Sequence, residues 1–143
     1  LRTLDTRLKQ HYENTKIVIN FLKKQKKIKE ILYPYKTSSK NYKLWKKYYS
    51  GATSLFSVVI KSKNKSSIIK FINSLELFGI GYSWGGFESL AILQELRASK
   101  DEYSQGRRFF RFNKDEHIVR LHIGLEDPKD LISDLKKSLK YIR

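Results

Sequence analysis

The chain has 143 residues, of which 40% are hydrophobic and 13% aromatic, enough for one domain with a real core and too apolar for a disordered segment. It has no Cys, which excludes a disulfide framework, a thiolate nucleophile and a Cys-based metal site, and its three His (His11, His117, His122) do not stand at zinc-site spacings. The formal net charge of +16 comes from 22 Lys and 8 Arg spread over nearly every segment, so it is read as solvated basic surface in preference to a nucleic-acid interface, which favours Arg.

No apolar run approaches the ~18–20 residues of a membrane span, and no signal peptide opens the chain. Leu1 is not a Met, so the chain is expected to begin inside a longer gene product. Leu4, Leu8, Tyr12, Thr15, Ile19 and Leu22 recur at helical spacing and predict a long amphipathic helix over about residues 3–24, with Thr3 or Asp5 as its cap. A short strand comes next, from Ile28 to Tyr33, stopped by Pro34. From Pro34 to Gly51 the pattern is aromatic, polar and irregular. Its rings (Tyr35, Tyr42, Trp45, Tyr48, Tyr49) are read as covering a core edge in preference to stacking bases.

Residues 54–61 are rich in β-branched and aromatic side chains and predict a strand. Lys63-Asn64-Lys65-Ser66-Ser67 supplies a turn and a cap for a helix whose apolar face is Ile68, Phe71, Ile72, Leu75 and Phe78, with Gly79 as the helix-ending glycine. Gly81 to Trp84 is expected to be the next strand, Leu90 to Leu96 one or two helical turns, and Asp101 to Asn113 a variable loop. Residues 117–124 alternate as a strand, with Val119, Leu121 and Ile123 on one face and Ile118, Arg120 and His122 on the other. Asp127 and Pro128 then open a final helix whose buried stripe is Leu131, Leu135, Leu139 and Ile142. Strands separated by helices, with a last helix returning over them, indicate an α/β sandwich.

No Ser-His-Asp order, phosphate loop or paired carboxylates stand out. Two features remain. The first is the stretch Gly79-Ile80-Gly81-Tyr82-Ser83-Trp84-Gly85-Gly86-Phe87-Glu88-Ser89-Leu90, which by composition is a turn with an aromatic packed over it, since Gly clusters mark turns more often than sites. The second is Arg120, alone on a strand's polar face, where a surface ion pair and bidentate capture of a carboxylate are both open.

These two segments, the second running from Ile118 through Gly124, Glu126, Asp127 and Pro128 to Ile132, resemble the C-terminal part of the cystathionine β-lyase branch of the Cys/Met-metabolism family of pyridoxal-phosphate enzymes. Leu1-Arg2-Thr3-Leu4, Arg7-Leu8, Gln10-His11, Tyr33-Pro34, Leu44-Trp45-Lys46 and Leu55-Phe56-Ser57 also fit, so the resemblance covers nearly the whole chain. Related γ-synthases and γ-lyases usually carry Leu where this chain has Trp84, which favours the β-lyase branch. The resemblance implies an α/β small domain of a fold-type I enzyme: a small, mostly antiparallel sheet with helices on one face (residues 27–143), preceded by a long linking helix from a large domain (residues 1–26). It further implies that Arg120 holds the substrate α-carboxylate, that Ser83 and Trp84 line the pocket with Tyr82 close by, Ser83 peripherally touching the cofactor, and that Glu88 and Ser89 support the turn.

The family's Schiff-base lysine lies in a Ser-x-Thr-Lys motif that this sequence lacks, so no residue of the chain is assigned a catalytic role and none is assigned as a metal ligand. The loop near Ser39-Lys40-Asn41-Tyr42 also departs from the family's Gly-His-containing one. The resemblance implies a cytoplasmic, oligomeric (tetrameric) enzyme whose pyridoxal phosphate is bound mainly by a large N-terminal part. This chain is expected to be inactive alone, as a fragment or as the product of a split or decaying gene.

Overall fold

A computed structural model describes residues 2–35, 37, 39–94, 113 and 115–143. Its elements run α1 (Leu4–Leu22), β1 (Ile28–Leu32), α2 (Tyr42–Tyr48), β2 (Leu55–Lys61), α3 (Lys65–Asn73), β3 (Gly79–Ile80), β4 (Leu90–Gln94), β5 (Glu116–His122) and α4 (Pro128–Ser138), closed by a 3-10 turn at Leu139–Tyr141. The strands form one five-stranded sheet in the order β1-β2-β5-β4-β3. Every neighbouring pair is antiparallel except β3 with β4. The expected mostly antiparallel α/β domain is therefore present.

Register decides which side chains share a face. Phe56 stands opposite Leu121, Val58 opposite Val119, and Ala91 also opposite Leu121, so these residues line one face of the sheet. They join a single buried core with Val18, Ile19 and Leu22 of α1, Ile68, Phe71 and Ile72 of α3, and Leu131 and Leu135 of α4. All three long helices thus cover that face. The opposite face carries Arg120 and His122 of β5, flanked by Ser57 and Leu55 of β2 and by Ile92 and Leu90 of β4. No described helix is long and apolar enough to cross a membrane.

Local chemistry explains the helix ends. The Asn64 side chain accepts from the Ser66 N–H at 3.0 Å and starts α3, and Asp127 accepts from the Lys129 N–H at 2.8 Å with Pro128 at the first helical position of α4. At α1, Thr3 holds the cap position without a side-chain bond, and Asp5 pairs instead with Lys9 at 2.7 Å. The buried stripe of α1 also differs from the expected one. Leu4 and Leu8 are exposed, whereas His11 and Asn14 are buried because both bond main-chain carbonyls after β5: His11 Nδ1 meets Ile123 O at 2.8 Å, and Asn14 Nδ2 donates to Gly124 O at 3.1 Å and Glu126 O at 3.0 Å.

Four further expectations need correction. Part of the segment expected to be irregular is the helix α2, whose Tyr42 and Trp45 stack nearly parallel, as does Trp45 with Tyr49 just past its end. Trp45 meets Tyr35 edge-on at 4.5 Å, and Tyr35 leads to Tyr33, which packs on Phe56; of the expected rings Tyr35 packs against the core, whereas Tyr48 and Tyr49 are exposed. Burial raises the Tyr33 phenol above its usual range, and its hydroxyl donates to Thr53 O at 2.7 Å. Gly79 does not end α3, which stops at Asn73 with Ser74 as its cap; Gly79 lies in β3, close against Leu90. The strand expected over 81–84 is only the two residues Gly79–Ile80, and the chain then turns into a corner. Leu90 to Gln94 is a strand in place of helical turns, because pairing with the central strand β5 outweighs the helix preference of Leu and Ala. The loop expected over 101–113 lies outside the described residues, apart from Asn113.

One carboxylate ties the helical layer to the start of β3. Asp134 of α4 is buried, and its oxygens accept from the N–H groups of Glu76 at 3.1 Å and Leu77 at 2.8 Å. An Asp134→Ala variant leaves two main-chain donors without their charged acceptor, an expected loss of about 3 kcal/mol. Urea unfolding followed by far-UV circular dichroism checks this; an unchanged midpoint would show that water replaces the carboxylate freely.

Candidate functional site

Between β3 and β4 the chain makes a nine-residue corner, 81–89, over the polar face of the sheet. Gly85 sits there at φ +81°, a backbone conformation that favours glycine. The corner's carbonyls and amides are held one after another. Arg120 donates from its guanidinium to Tyr82 O. Arg7 of α1 donates to Gly85 O at 2.8 Å, and Leu125 N donates to Phe87 O at 2.8 Å. Gly85 N donates to His122 Nε2 at 3.2 Å.

A second set of bonds lies behind the corner. Glu126 accepts from Ser89 twice, from the main-chain N–H at 2.7 Å and from the hydroxyl at 2.8 Å, while Ser89 Oγ accepts from Gly124 N at 2.8 Å. Ser89 is fully buried, so this chain of bonds is shielded from water and each link polarises the next. Gly124 is required for it. A Cβ at that position would stand 2.2 Å from Phe87 O and 2.7 Å from the Glu88 carbonyl carbon.

With its backbone fastened, the corner turns its large side chains outward. Tyr82, Trp84 and Phe87, with Ile80 of β3 just before them, are each 64–73% exposed. Arg120 stands on β5, the middle strand of the sheet, and its guanidinium lies 5.5 Å from the centre of the Tyr82 ring. Among the described residues it has no carboxylate partner. One carbonyl occupies one of five guanidinium donors, so the fork retains donors for a planar anion.

The structure therefore brings together two of the four residues singled out from the sequence, Arg120 and Tyr82. Ser83 and Trp84 share the corner and are exposed, and among the described residues no hydrogen bond engages their side chains. Ser89 is a support of the turn through Glu126. Glu88 makes no such bond; its carboxylate lies over Gly86. Sequence reasoning missed Arg7, Ser54, His122 and Glu126 as supports. Spacing could not have shown them, because each bond joins segments 35 or more residues apart.

His122 is fully buried, with Nδ1 2.6 Å from Ser54 Oγ and Nε2 between Gly85 N at 3.2 Å and Gly86 O at 3.3 Å. Burial holds its basicity below the ordinary histidine value, helped by the neighbouring His11 ring at 5.2 Å and opposed by Gly86 O and the carboxylates of Glu88 and Glu126. The neutral tautomer protonated on Nδ1 lets Nε2 accept from Gly85 N–H, the only role that amide can play. The lowered value favours the neutral ring in the fold. This contribution to stability is present above about pH 6.5, the ordinary histidine value, and is lost as pH falls through the lower folded value.

The sequence pattern of the Cys/Met metabolism PLP-dependent enzyme family matches residues 1–140. The chain belongs to this family. It is 37% identical over 136 residues to cystathionine beta-lyase MetC of Escherichia coli, covering 94% of this chain and 33% of that protein. Against the L-alanine/L-glutamate racemase of Wolbachia pipientis it is 36% identical over 140 residues, covering 97% of this chain and 33% of that protein. The chain thus spans about a third of the length of the curated relatives it matches. Among solved structures, cystathionine gamma synthase of Xanthomonas oryzae, in complex with aminoacrylate and cysteine, superposes with a TM-score of 0.78 at 26% identity, covering 99% of this chain and 36% of that one. An O-acetylhomoserine (thiol)-lyase of Campylobacter jejuni carrying a pyridoxyl-lysine superposes at 0.71 with 30% identity, covering 96% and 29%.

The described residues do not by themselves cradle pyridoxal phosphate. A lysine that forms a Schiff base works from a desolvated pocket, and no described lysine is buried. Exposed lysines occur instead on all four helices, as expected for solvated charge.

Gly124→Ala is expected to cost about 3 kcal/mol, because the clash includes main-chain atoms of Phe87 and Glu88 besides the Glu126 carboxylate. Denaturant unfolding checks it. Ala at Gly51, where a Cβ meets nothing within 4 Å, is the control and should leave the midpoint nearly unchanged.

Proposed function

We propose that this chain supplies the substrate-carboxylate clamp and one wall of the active site of a pyridoxal-phosphate-dependent carbon–sulfur lyase, with cystathionine as its substrate. Arg120 carries the reading. It projects from the middle strand of the sheet, is anchored to Tyr82 O, and keeps donors without a carboxylate partner among the described residues. A guanidinium placed in this way can take an α-carboxylate through two parallel bonds and fix the amino acid's orientation. Tyr82, Ser83 and Trp84 would flank the bound amino acid, and the exposed rings would be covered when the rest of the enzyme closes over them.

The remaining groups would come from outside this sequence: the Schiff-base lysine, the phosphate-binding residues and the pocket's other walls. The family name and the third-length coverage of the relatives support this division of labour. The cofactor, bound by that other part, would supply the electron sink for bond cleavage. The role of this chain is to bind and orient, and to keep water from one side of the pocket. A large N-terminal part and further copies of the enzyme are its proposed partners.

A second reading has a specific observation behind it. Identity to the Wolbachia racemase is within one percentage point of identity to the Escherichia coli β-lyase. A clamp on the α-carboxylate serves amino-acid racemisation equally well, because both reactions begin by removing the proton from the carbon that bears that carboxylate.

The test combines this chain with a separately expressed N-terminal portion of the enzyme that carries the lysine. The mixture should release pyruvate from cystathionine, and the chain alone should release none. Conversion of L-alanine or L-glutamate to the D-enantiomers without pyruvate release would instead favour the racemase. In whichever reaction appears, Arg120→Ala should lower kcat/KM by about 10²–10³, the scale of a charged pair worth about 3–4 kcal/mol, and mainly through KM. A loss of less than about threefold would contradict the carboxylate clamp.

A further inference from the structure

Of the groups that the proposed chemistry leaves unused, the buried pair His11 and His122 lies closest to the corner. Both rings are fully buried and their centroids are 5.2 Å apart. A carbonyl can only accept, so His11 Nδ1 carries the proton that bonds Ile123 O, and its Nε2 is buried without a partner. His11 therefore has a fixed role in joining α1 to the end of β5. His122 has two roles open to it.

Its Nε2 stands almost equally far from the N–H of Gly85 and the carbonyl of Gly86, a donor and an acceptor on successive residues of the corner. In the neutral ring this nitrogen accepts from Gly85. In the protonated ring it can only donate, so it must release Gly85 N–H and hold Gly86 O. On the far side of the ring Ser54 Oγ takes the Nδ1 proton in both states, which fixes the ring while the bond at Nε2 changes hands. Gly85 can answer such a change because it alone among the described glycines has a positive φ, and because a Cβ there would meet nothing within 4 Å.

We propose that His122 is a positioning residue for the pocket wall: its neutral imidazole holds the Trp84-Gly85-Gly86 turn through Gly85 N–H, and its protonation re-sets that turn. The proposal rests on the reading of the corner as a wall of the amino-acid pocket. The charged and titratable groups acting on the ring are His11 of α1, Glu88 of the corner and Glu126 after β5, with Arg7 of α1 on the adjoining Gly85 carbonyl; β2 and β4 set uncharged Leu55 and Leu90 beside it, and Ser54 bonds its Nδ1. The neighbouring His11 disfavours a charge on His122, and the two carboxylates favour it.

Other holds on the corner do not pass through the His122 ring: Arg7 donates to Gly85 O, Arg120 to Tyr82 O and Leu125 N to Phe87 O. Proton uptake at His122 should therefore move Gly85 and Trp84 and leave Gly124 in place.

The experiment is a pH titration of the 143-residue chain labelled with 15N, with no cofactor or substrate present. The Gly85 amide resonance is expected to move upfield in one step as it loses its acceptor. Its midpoint should match that of the His122 ring protons and lie below about 6.5. The Gly124 amide, which donates to Ser89, should not move with it. In a Trp45→Phe background, where Trp84 is the remaining tryptophan, the emission of Trp84 should change at the same midpoint. In His122→Gln, which has no ring to titrate, both signals should be flat.

A Gly85 amide that stays still until the fold is lost overturns the proposal. So does one that moves together with Gly124, which would mark His122 as a general structural support. A moving Gly85 with unchanged Trp84 emission also overturns it, because the wall would then be unaffected. The wild-type titration needs no variant, so poor folding of His122→Gln leaves the test intact. Failure of the lyase and racemase assays would reject the functional reading without touching this result.

Discussion

The carbonyl oxygen of Phe87 occupies the space where a side chain at position 124 would stand. That close approach lets Gly124 N reach Ser89, lets Leu125 N reach Phe87, and brings Glu126 beneath the corner to accept from Ser89 twice. Asn14 of α1 then closes the back of the arrangement by donating to the carbonyls on either side of Leu125. With the polar groups engaged behind the corner, its outward side is left to Tyr82, Ser83 and Trp84 beside Arg120. A single missing Cβ thus determines where the corner lies relative to the sheet.

The same geometry explains why α1 does more than lead into the domain. Its last turns contribute Val18, Ile19 and Leu22 to the core, while Arg7 reaches the corner and His11 and Asn14 hold the segment after β5. Leu4 and Leu8 near the start of α1 are exposed, as are Ile80 of β3 and Trp84 and Phe87 of the corner, and so are Ile17 of α1 and Ile69 of α3.

Much of the fold was legible from local signals. The alternation of residues 117–123 placed Arg120 and His122 on one face, and Asp127-Pro128 marked the start of α4. The errors came where a distant partner outweighed local preference. Leu90 to Gln94 has helix-forming residues but is a strand, because β5 offers it a ladder. Gly79 sits where a helix could end, yet Ser74 already ends it. The site divides in the same way. The Gly-rich corner and the lone Arg were visible as motifs, and family resemblance joined them. Ser54, Arg7 and Glu126 were not visible as its supports, because hydrogen bonds across 37 to 78 residues leave no periodic trace. Leu4 and Leu8 show the complementary failure: their apolar spacing suggested core, whereas polar His11 and Asn14 are buried since they satisfy main-chain carbonyls.

The corner is held by bonds from within the chain itself, so it should be formed in the free chain. Native-state hydrogen exchange reads this directly at the amides of Gly79, Ser89, Gly124 and Leu125, whose acceptors all lie in the corner or beneath it. In the free chain they should exchange as slowly as the amides of the central strand β5, to within about tenfold. Exchange at the rate of freely exposed amides, with β5 still protected, would show that the corner forms only on assembly and would contradict a wall built in advance.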